Sequence, residues 1–179
     1  GQYKSLEWVA TPEASTGDLY AIARDVTELK SMTERLTQER QRYDHIIQGT
    51  NVGTWEWNVQ TGETIFNEQW ANIIGYTLEE LEPISIKTWE KFAHPEDLEK
   101  SGELLTKHFE GKSPYYEFAS RMKHKNGHWV WVLDRGKVFS WSEEGLPLMM
   151  FGSHQDITQQ KNAETKLRQT KEMLEQTSR

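Results

Sequence analysis

The chain has 179 residues, a formal net charge of −7 and no cysteine. This length fits one domain with extensions, the acidic balance argues against a nucleic-acid-binding surface, and the missing cysteine excludes disulfides, thiolate catalysis and cysteine-ligated metals. Apolar runs of only a few residues predict no transmembrane helix and no signal peptide, so we expect a cytoplasmic segment; a membrane anchor elsewhere in a longer parent protein is compatible with this.

Residues 1–27 alternate loosely between apolar and polar side chains, as at Leu6 and Trp8 and again from Leu19 onwards. Residues 12–17 predict a turn between two strands. The segment is therefore predicted to be a β-hairpin. Because a lone hairpin is marginally stable in water, we expect it to be poorly ordered or docked on a sheet edge or a partner chain.

Residues 28–49 are strongly polar, with apolar side chains at heptad-like spacing at Leu29, Leu36, Tyr43 and Ile47. This spacing predicts an amphipathic helix. Two interpretations are open: a solvated helix, and a two-stranded parallel coiled coil whose thin seam makes its register easy to shift. Residues 159–179 repeat the pattern weakly and predict a second helical linker.

Between the linkers, turn signals and periodicity predict strands and helices in a defined order. The predicted strands cover residues 54–58, 63–66, 115–123, 129–140 and 148–155, and the predicted helices cover residues 68–74, parts of 78–92, and 95–109. Pro95 fits the first position of its helix, and Asn126-Gly127 predicts a tight hairpin turn. Two strands, a helical crossover and three antiparallel strands predict an α+β domain with one sheet.

The last predicted strand leads into a helix through Asp156, Ile157 and Thr158, and the polar side chains of Asp156 and Thr158 can cap that helix. A similar passage, with Asp25 and Thr27, follows the first hairpin. The two aspartates lie 131 residues apart (position 25 to position 156), about the length of one small domain. The sequence therefore predicts two copies of one strand-to-helix junction.

These features, in this order, resemble a PAS (sensory box) domain of the tryptophan-rich bacterial subtype over about residues 50–158. The resemblance is carried by the Trp55-Glu-Trp57 hairpin, the His-Pro-Glu-Asp run at 94–97, the Asn-Gly turn and the Asp-Ile-Thr exit. It implies a five-stranded antiparallel sheet with helices on one face. It also implies that residues 1–27 are the C-terminal hairpin of a preceding PAS domain, with helical linkers at 28–49 and 159–179.

The same resemblance implies that a ligand would lie between the sheet and its helices. The candidate pocket residues are Trp55, Trp57, Trp70, Tyr116, Phe118, Ser120, Met122, Met150 and His154. In flavin-binding relatives, a polar side chain at the position of His154 contacts the edge of the flavin ring. Stacking of the aromatic side chains on a flat ligand and ordinary core packing are both open interpretations.

The cofactor is left unidentified, with a flavin or another small molecule as candidates. Without a cysteine, the chain cannot form the flavin adduct of light-sensing relatives. Haem is disfavoured because the position of the haem-binding histidine in oxygen-sensing PAS domains corresponds to Lys100, and His108 lies about two turns later.

The resemblance places Trp129, Trp131 and Phe151 on the outer face of the sheet. An apolar group of this size is rarely left exposed to water, so we expect a parallel homodimer through this face and the linker helices. Adjacent PAS and output domains of the same polypeptide are the other expected partners. Nucleic acid and direct membrane insertion are not expected.

No phosphate-binding glycine loop, HExxH motif or nucleophile elbow occurs, so the chain is predicted not to be an enzyme. The resemblance implies a sensory module that detects a small ligand or cofactor state. Asp156 and Thr158 would pass this state to a histidine kinase or diguanylate cyclase outside the chain. The alternative is a ligand-free PAS module with a filled core that dimerises and relays a signal.

Overall fold

The computed structural model describes residues 3–177, and the chain divides into two compact units, Gly1–Thr50 and Asn51–Arg179. The predicted segments 1–27 and 159–179 each include two residues that lie outside this described range. No helix in the described range is long and apolar enough to cross a membrane.

The first unit is a two-stranded hairpin followed by a long helix. Strands β1 (Leu6–Pro12) and β2 (Leu19–Asp25) are antiparallel, and helix α1 spans Thr27–Thr50. All residues of both strands are exposed, and none of the residues described in α1 is buried. The hairpin and helix therefore form with little burial of their own, as expected for elements that normally pack on other structure.

The second unit contains the predicted α+β domain. Its elements are β3 (Gly53–Asn58), β4 (Thr64–Phe66), α2 (Glu68–Ile73), α3 (Leu78–Leu81), α4 (Ile86–Phe92), α5 (Pro95–Phe109), β5 (Tyr116–Lys123), β6 (Trp129–Trp141), β7 (Pro147–Asp156) and α6 (Thr158–Thr177). The five strands form one antiparallel sheet in the order β4-β3-β7-β6-β5. This architecture confirms the predicted fold class.

One hydrophobic core lies between the sheet and helices α2 to α5. On β6 buried and exposed side chains alternate, as expected for a strand with one face in the core. Trp70 is only 1 % exposed and stacks on Phe66 with ring centroids 3.7 Å apart. Ile74 and Met150 are fully buried beside them.

The start of α5 covers the edge of the sheet. His94 caps the helix by accepting the amide hydrogen of Glu96, and Pro95 occupies the first helical position, as the sequence predicts. The amide of His94 donates to the carbonyl of Arg121 on β5, and Ala93 forms a bridge with Met122. These bonds satisfy backbone groups on a strand edge that would otherwise be open.

Candidate functional site

The ring of Trp55 lies against two facing glycines of the sheet. Gly136 on β6 and Gly152 on β7 are direct cross-strand partners. A Cβ atom at Gly152 would lie 2.2 Å from the Trp55 ring, and one at Gly136 would lie 2.4 Å from it. Both glycines are therefore needed for the indole to approach the backbone closely.

A buried polar group lies beside this indole. Trp55 donates its indole N–H to Oδ1 of Asp134 at 2.9 Å, and Oδ2 of Asp134 lies 3.2 Å from Nε2 of His154. Asp134 is 5 % exposed and His154 is 2 % exposed. A carboxylate this deeply buried needs partners, and the indole and the imidazole provide them.

A second polar pair joins the sheet to the helical cover. The hydroxyl of Tyr116 on β5 lies 2.8 Å from Oγ of Ser101 on α5, and both residues are buried. Burial, together with the negative charge of Asp134, raises the pKa of Tyr116 far above its ordinary value of 10.0. The phenol therefore stays protonated and available as a hydrogen-bond donor.

These residues line a cavity of about 40 Å³ beneath α4 and α5. Its lining residues are Trp55, Trp57, Thr64, Ile86, Trp89, Ser101, Leu105, Tyr116, Asp134 and His154. The volume is room for about one to three water molecules, whereas pockets for drug-sized ligands measure roughly 300–1,000 Å³. A flavin or a haem does not fit this arrangement of side chains.

Four of the nine predicted pocket residues line the cavity: Trp55, Trp57, Tyr116 and His154. The other five lie around it. Trp70, Met122 and Met150 belong to the hydrophobic core, Phe118 packs against that core, and Ser120 is fully buried. Trp70 also approaches the imidazole of His154, with ring centroids 5.4 Å apart.

The sequence interpretation missed Asp134 and the lining residues of the helices. A carboxylate at an inward position of the apolar strand 129–140 was a usable signal, because such a group is almost never fully buried without a partner. The indole nitrogens of Trp57 and Trp89 are buried without a hydrogen-bond partner among the described residues. They are the donors of this region that a ligand or water could satisfy.

His108, which the sequence analysis considered in connection with haem, is held by protein groups at both nitrogens of its ring. Its Nδ1 lies 2.8 Å from the carbonyl oxygen of Ser113, and its Nε2 accepts the amide hydrogen of Val138 at 3.1 Å. Neither nitrogen is left for an iron. No cluster of three or more potential metal ligands occurs among the described residues.

The junction between β7 and α6 is fixed by hydrogen bonds of the predicted residues. Oδ1 of Asp156 accepts the amide hydrogen of Thr158 at 2.9 Å. The Thr158 hydroxyl accepts the amide hydrogen of Trp131 at 3.0 Å, and the amide of Ile157 donates to the carbonyl of Trp131 at 2.9 Å. The exit helix is therefore tied to β6 as well as to β7, on which His154 lies only two residues before Asp156.

The predicted dimer residues belong to the sheet of the second unit and to α1 of the first. On the outer sheet face, Phe151 is 37 % exposed and packs edge-on against Phe139, which is 68 % exposed. Ile65 is exposed on the same face, since it pairs with a residue directly opposite Phe151. Trp131 is half-buried, and the ring of Trp129 lies 4.8 Å from that of His94.

On α1, Leu29, Leu36 and Tyr43 are exposed and Ile47 is half-buried. Two further exposed residues, Met32 and Ile46, fall between them. Leu29, Met32, Leu36, Tyr43 and Ile46 occupy five of the six positions that alternating steps of three and four residues define in a heptad seam, and Glu39 occupies the sixth. The sequence interpretation placed Ile47 in this seam and did not include Met32 or Ile46.

Comparison with known proteins places this architecture in context. The family described as PAS fold matches residues 63–154, just over half of the chain. No curated protein matches. Among solved structures, a sensory box histidine kinase/response regulator from Burkholderia thailandensis is 28 % identical with a TM-score of 0.66, covering 75 % of this chain and 98 % of the other.

Two other solved structures are similar over most of their length. The N-terminal domain of a diguanylate cyclase with a PAS/PAC sensor from Marinobacter aquaeolei is 25 % identical with a TM-score of 0.52, covering 61 % of this chain and 97 % of the other. A PAS domain from Colwellia psychrerythraea is 21 % identical with a TM-score of 0.53, covering 67 % and 97 %. The last of these supports the fold alone.

Proposed function

We propose that this chain, which belongs to the PAS-fold family, is a sensory module that passes a state of its cavity through α6 to an output domain. PAS domains are sensory modules and are generally not catalytic. The observation that carries the proposal is the polar contact between Trp55, Asp134 and His154. It joins the cavity wall to β7, two residues before the helix cap at Asp156.

The similarity to a histidine kinase and to a diguanylate cyclase supports either as the class of output domain. The relay would depend on small energies. A helix cap such as Asp156 contributes about 1 kcal/mol, which changes a two-state population roughly fivefold. Movement of β7 could therefore alter the exit helix while the core stays folded.

Two versions of this function differ in what the cavity holds. In the first, the module detects a ligand of very few heavy atoms, or a larger one that enters only after α4 and α5 move apart. In the second, it is a relay and dimerisation module with a filled core. The cavity of about 40 Å³ favours the filled-core version, because this volume is too small for a drug-sized ligand.

Absorbance and native mass of the purified chain distinguish these versions. A colourless protein at the mass of the polypeptide is expected from the filled-core version. A flavin or haem spectrum would contradict it. Extra mass without colour would indicate a small ligand, and Trp89→Phe should then weaken retention of that ligand more than Trp8→Phe, a control outside the domain.

The relay itself is tested in a full-length parent protein with Asp156→Ala. Output activity and melting temperature should be measured together. We expect altered output with only a small loss of stability, because the cap stabilises the start of α6 rather than the core. Unchanged output beside a lowered melting temperature would leave Asp156 as a helix cap without a role in transmission.

We also propose that the chain forms a parallel homodimer through the α1 seam and the outer sheet face. The exposed seam of α1 and the exposed ring pair of Phe139 and Phe151 each support this, because exposed groups of apolar side chains often mark an interface. Light scattering at tens of micromolar should give twice the chain mass. Leu36→Asp should weaken the dimer, whereas Gln41→Asp, on the polar face of α1, should not. A monomeric wild-type chain would contradict the proposal.

Residues 1–27 are proposed to be the last hairpin of a preceding PAS domain, with helical linkers at 28–49 and 159–179 and the PAS domain at 50–158. The support is the junction at Asp25 and Thr27, which has the bonding pattern of the one at Asp156 and Thr158. Hydrogen exchange tests it. Amides of β1 and β2 should exchange rapidly in the monomeric chain, because the rest of the preceding domain does not cover them there. Slow exchange of these amides would contradict the proposal.

A further inference from the structure

The ring of Trp131 is approached by two cations from different elements. Arg121, its direct cross-strand partner on β5, places its guanidinium carbon 5.6 Å from the ring centroid. Lys161, in the first turn of α6, places Nζ 5.5 Å from the same centroid. Both distances lie within the range of cation–π attraction. The backbone of Trp131 also binds Ile157 and Thr158, so this residue touches the start of α6 through both main chain and side chain.

Arg121 is in turn held by the first turn of α5. Its Nε and Nη2 donate to the two oxygens of Asp97 at 2.9 and 2.8 Å, and Nη2 also reaches Glu96 at 3.0 Å. The backbone amide of Arg121 donates to Asp97 at 2.8 Å as well. A two-pronged guanidinium–carboxylate bond fixes both position and orientation, so Arg121 moves with the start of α5.

Helix α5 also borders the cavity. Ser101, one turn after Asp97, forms the hydroxyl pair with Tyr116 and lines the cavity together with Leu105. A shift of α5 that accompanies a change in the cavity would therefore be felt at Asp97 and Arg121. This contact chain runs over the sheet edge and does not pass through β7.

We propose that Arg121 is a positioning residue that couples the start of α5 to the start of α6 through the ring of Trp131. It gives the exit helix a second connection to the cavity wall, parallel to the route through β7 and Asp156. The inference rests on the proposed function only in treating α6 as the exit. Coupling between the two helices can be measured in this chain alone, with or without an output domain.

Amide hydrogen exchange in the complete chain tests the coupling. Arg121→Gln should increase exchange at Ile157, Thr158 and Lys161 by about two- to fivefold, the factor expected from a surface cation–π contact. Asp97→Asn should act in the same direction, although Asp97 lies on α5. Lys123→Gln is the matched control, because Lys123 lies 4.7 Å from the centroid of Trp129 on the same two strands. It should leave exchange at these α6 amides unchanged.

Coupling between two sites is reciprocal, which supplies a second and independent test. Lys161→Gln should increase exchange of the Arg121 amide by a factor similar to that of Arg121→Gln on α6. Lys161 is partly exposed, so this variant decides the matter even where Arg121→Gln or Asp97→Asn unfolds the domain. Wild-type exchange at Arg121 in Lys161→Gln would overturn the proposal. So would an effect of Lys123→Gln equal to that of Arg121→Gln, since that would indicate general destabilisation.

Discussion

The two strand-to-helix junctions of this chain share their local hydrogen bonds. Asp25 accepts the amide hydrogen of Thr27 at 3.1 Å, and Asp156 accepts that of Thr158 at 2.9 Å. The hydroxyl of Thr27 accepts the amide hydrogen of Ser5 at 2.8 Å, and the hydroxyl of Thr158 accepts the amide hydrogen of Trp131 at 3.0 Å. The Asp-x-Thr sequence thus builds the same cap twice.

The residues that meet these caps differ. Ser5 occupies in the first junction the place that Trp131 has in the second, and the amides of Val26 and Ile157 donate to their respective carbonyls at 2.9 Å. Ser5 has no ring to attract a cation or to contact neighbouring elements. The strands of the first hairpin are exposed throughout, whereas β6 buries alternate residues and β7 buries Pro147, Met150 and His154. A strand-to-helix cap is therefore a local structure, and its connection to a core depends on the residues around it.

The largest expected difference between the two regions is in core stability. Trp70→Ala should lower the free energy of unfolding of the second unit by about 3–5 kcal/mol, since it removes a fully buried ring. Trp8→Ala removes an exposed ring of β1 and should cost about 0.5 kcal/mol or less. Urea unfolding followed by circular dichroism measures both. A large effect of Trp8→Ala would mean that the hairpin is covered in solution.

A smaller effect is expected from the ion pair between Asp97 and Arg121, which reaches the second junction through the ring of Trp131. Burial raises the pKa of Asp97, but hydrogen bonds from the side chain and backbone of Arg121 outweigh it, so the pKa lies below its ordinary value of 3.8. A carboxyl group with a lowered folded-state pKa stabilises the fold above its unfolded pKa. This contribution is lost as the pH falls through the lower folded-state value.

Asp97→Asn should therefore cost about 1.5–3 kcal/mol at neutral pH, the range for hydrogen bonds to charged groups. The variant should also lose less stability than the wild type when the pH is lowered below about 4. Urea unfolding at several pH values measures the difference. Parallel pH dependence of the two proteins would contradict the role of this ion pair.

The caps themselves should contribute less. Asp156→Ala should cost about 1 kcal/mol, and Asp156→Asn should restore most of it because the amide oxygen can still accept the Thr158 hydrogen. Asp25→Ala should unwind the start of α1 in the same way without affecting the second unit. Exchange of the Thr27 and Thr158 amides reports each cap separately. Equal losses in the alanine and asparagine variants of Asp156 would show that charge, not capping, matters.

The smallest expected effect comes from making the first junction resemble the second. Lys30 lies four residues after Val26, as Lys161 lies four residues after Ile157. The amide of Lys30 donates to the carbonyl of Val26, and the amide of Lys161 donates to the carbonyl of Ile157. Ser5→Trp should place a ring near Lys30 and stabilise the start of α1 by at most about 1 kcal/mol. Ser5→Leu is the control, because it adds apolar surface without an aromatic face. Equal slowing of exchange in both variants would exclude a cation–π contribution.

Sequence alone predicted the fold class and the caps because both depend on signals between residues close in the chain. Pro95 begins α5, Asn126 and Gly127 make the turn before β6, and Asp156 accepts the Thr158 amide hydrogen at the start of α6. The inward positions of Met122 and Met150 were implied instead by the resemblance to PAS domains, and both side chains are fully buried. The helix starts and the hairpin turn can be predicted without knowing which strand lies beside which.

Tertiary structure decided how the cavity is built and how large it is. Trp55 and Asp134 are separated by 79 positions and meet only because β7 lies between β3 and β6 in the sheet. The helical lining, such as Trp89 and Ser101, depends on where the crossover helices pack, which no short-range pattern specifies. The cavity volume is what remains after these side chains fill the interior at close packing, so it cannot be obtained from residue types one at a time.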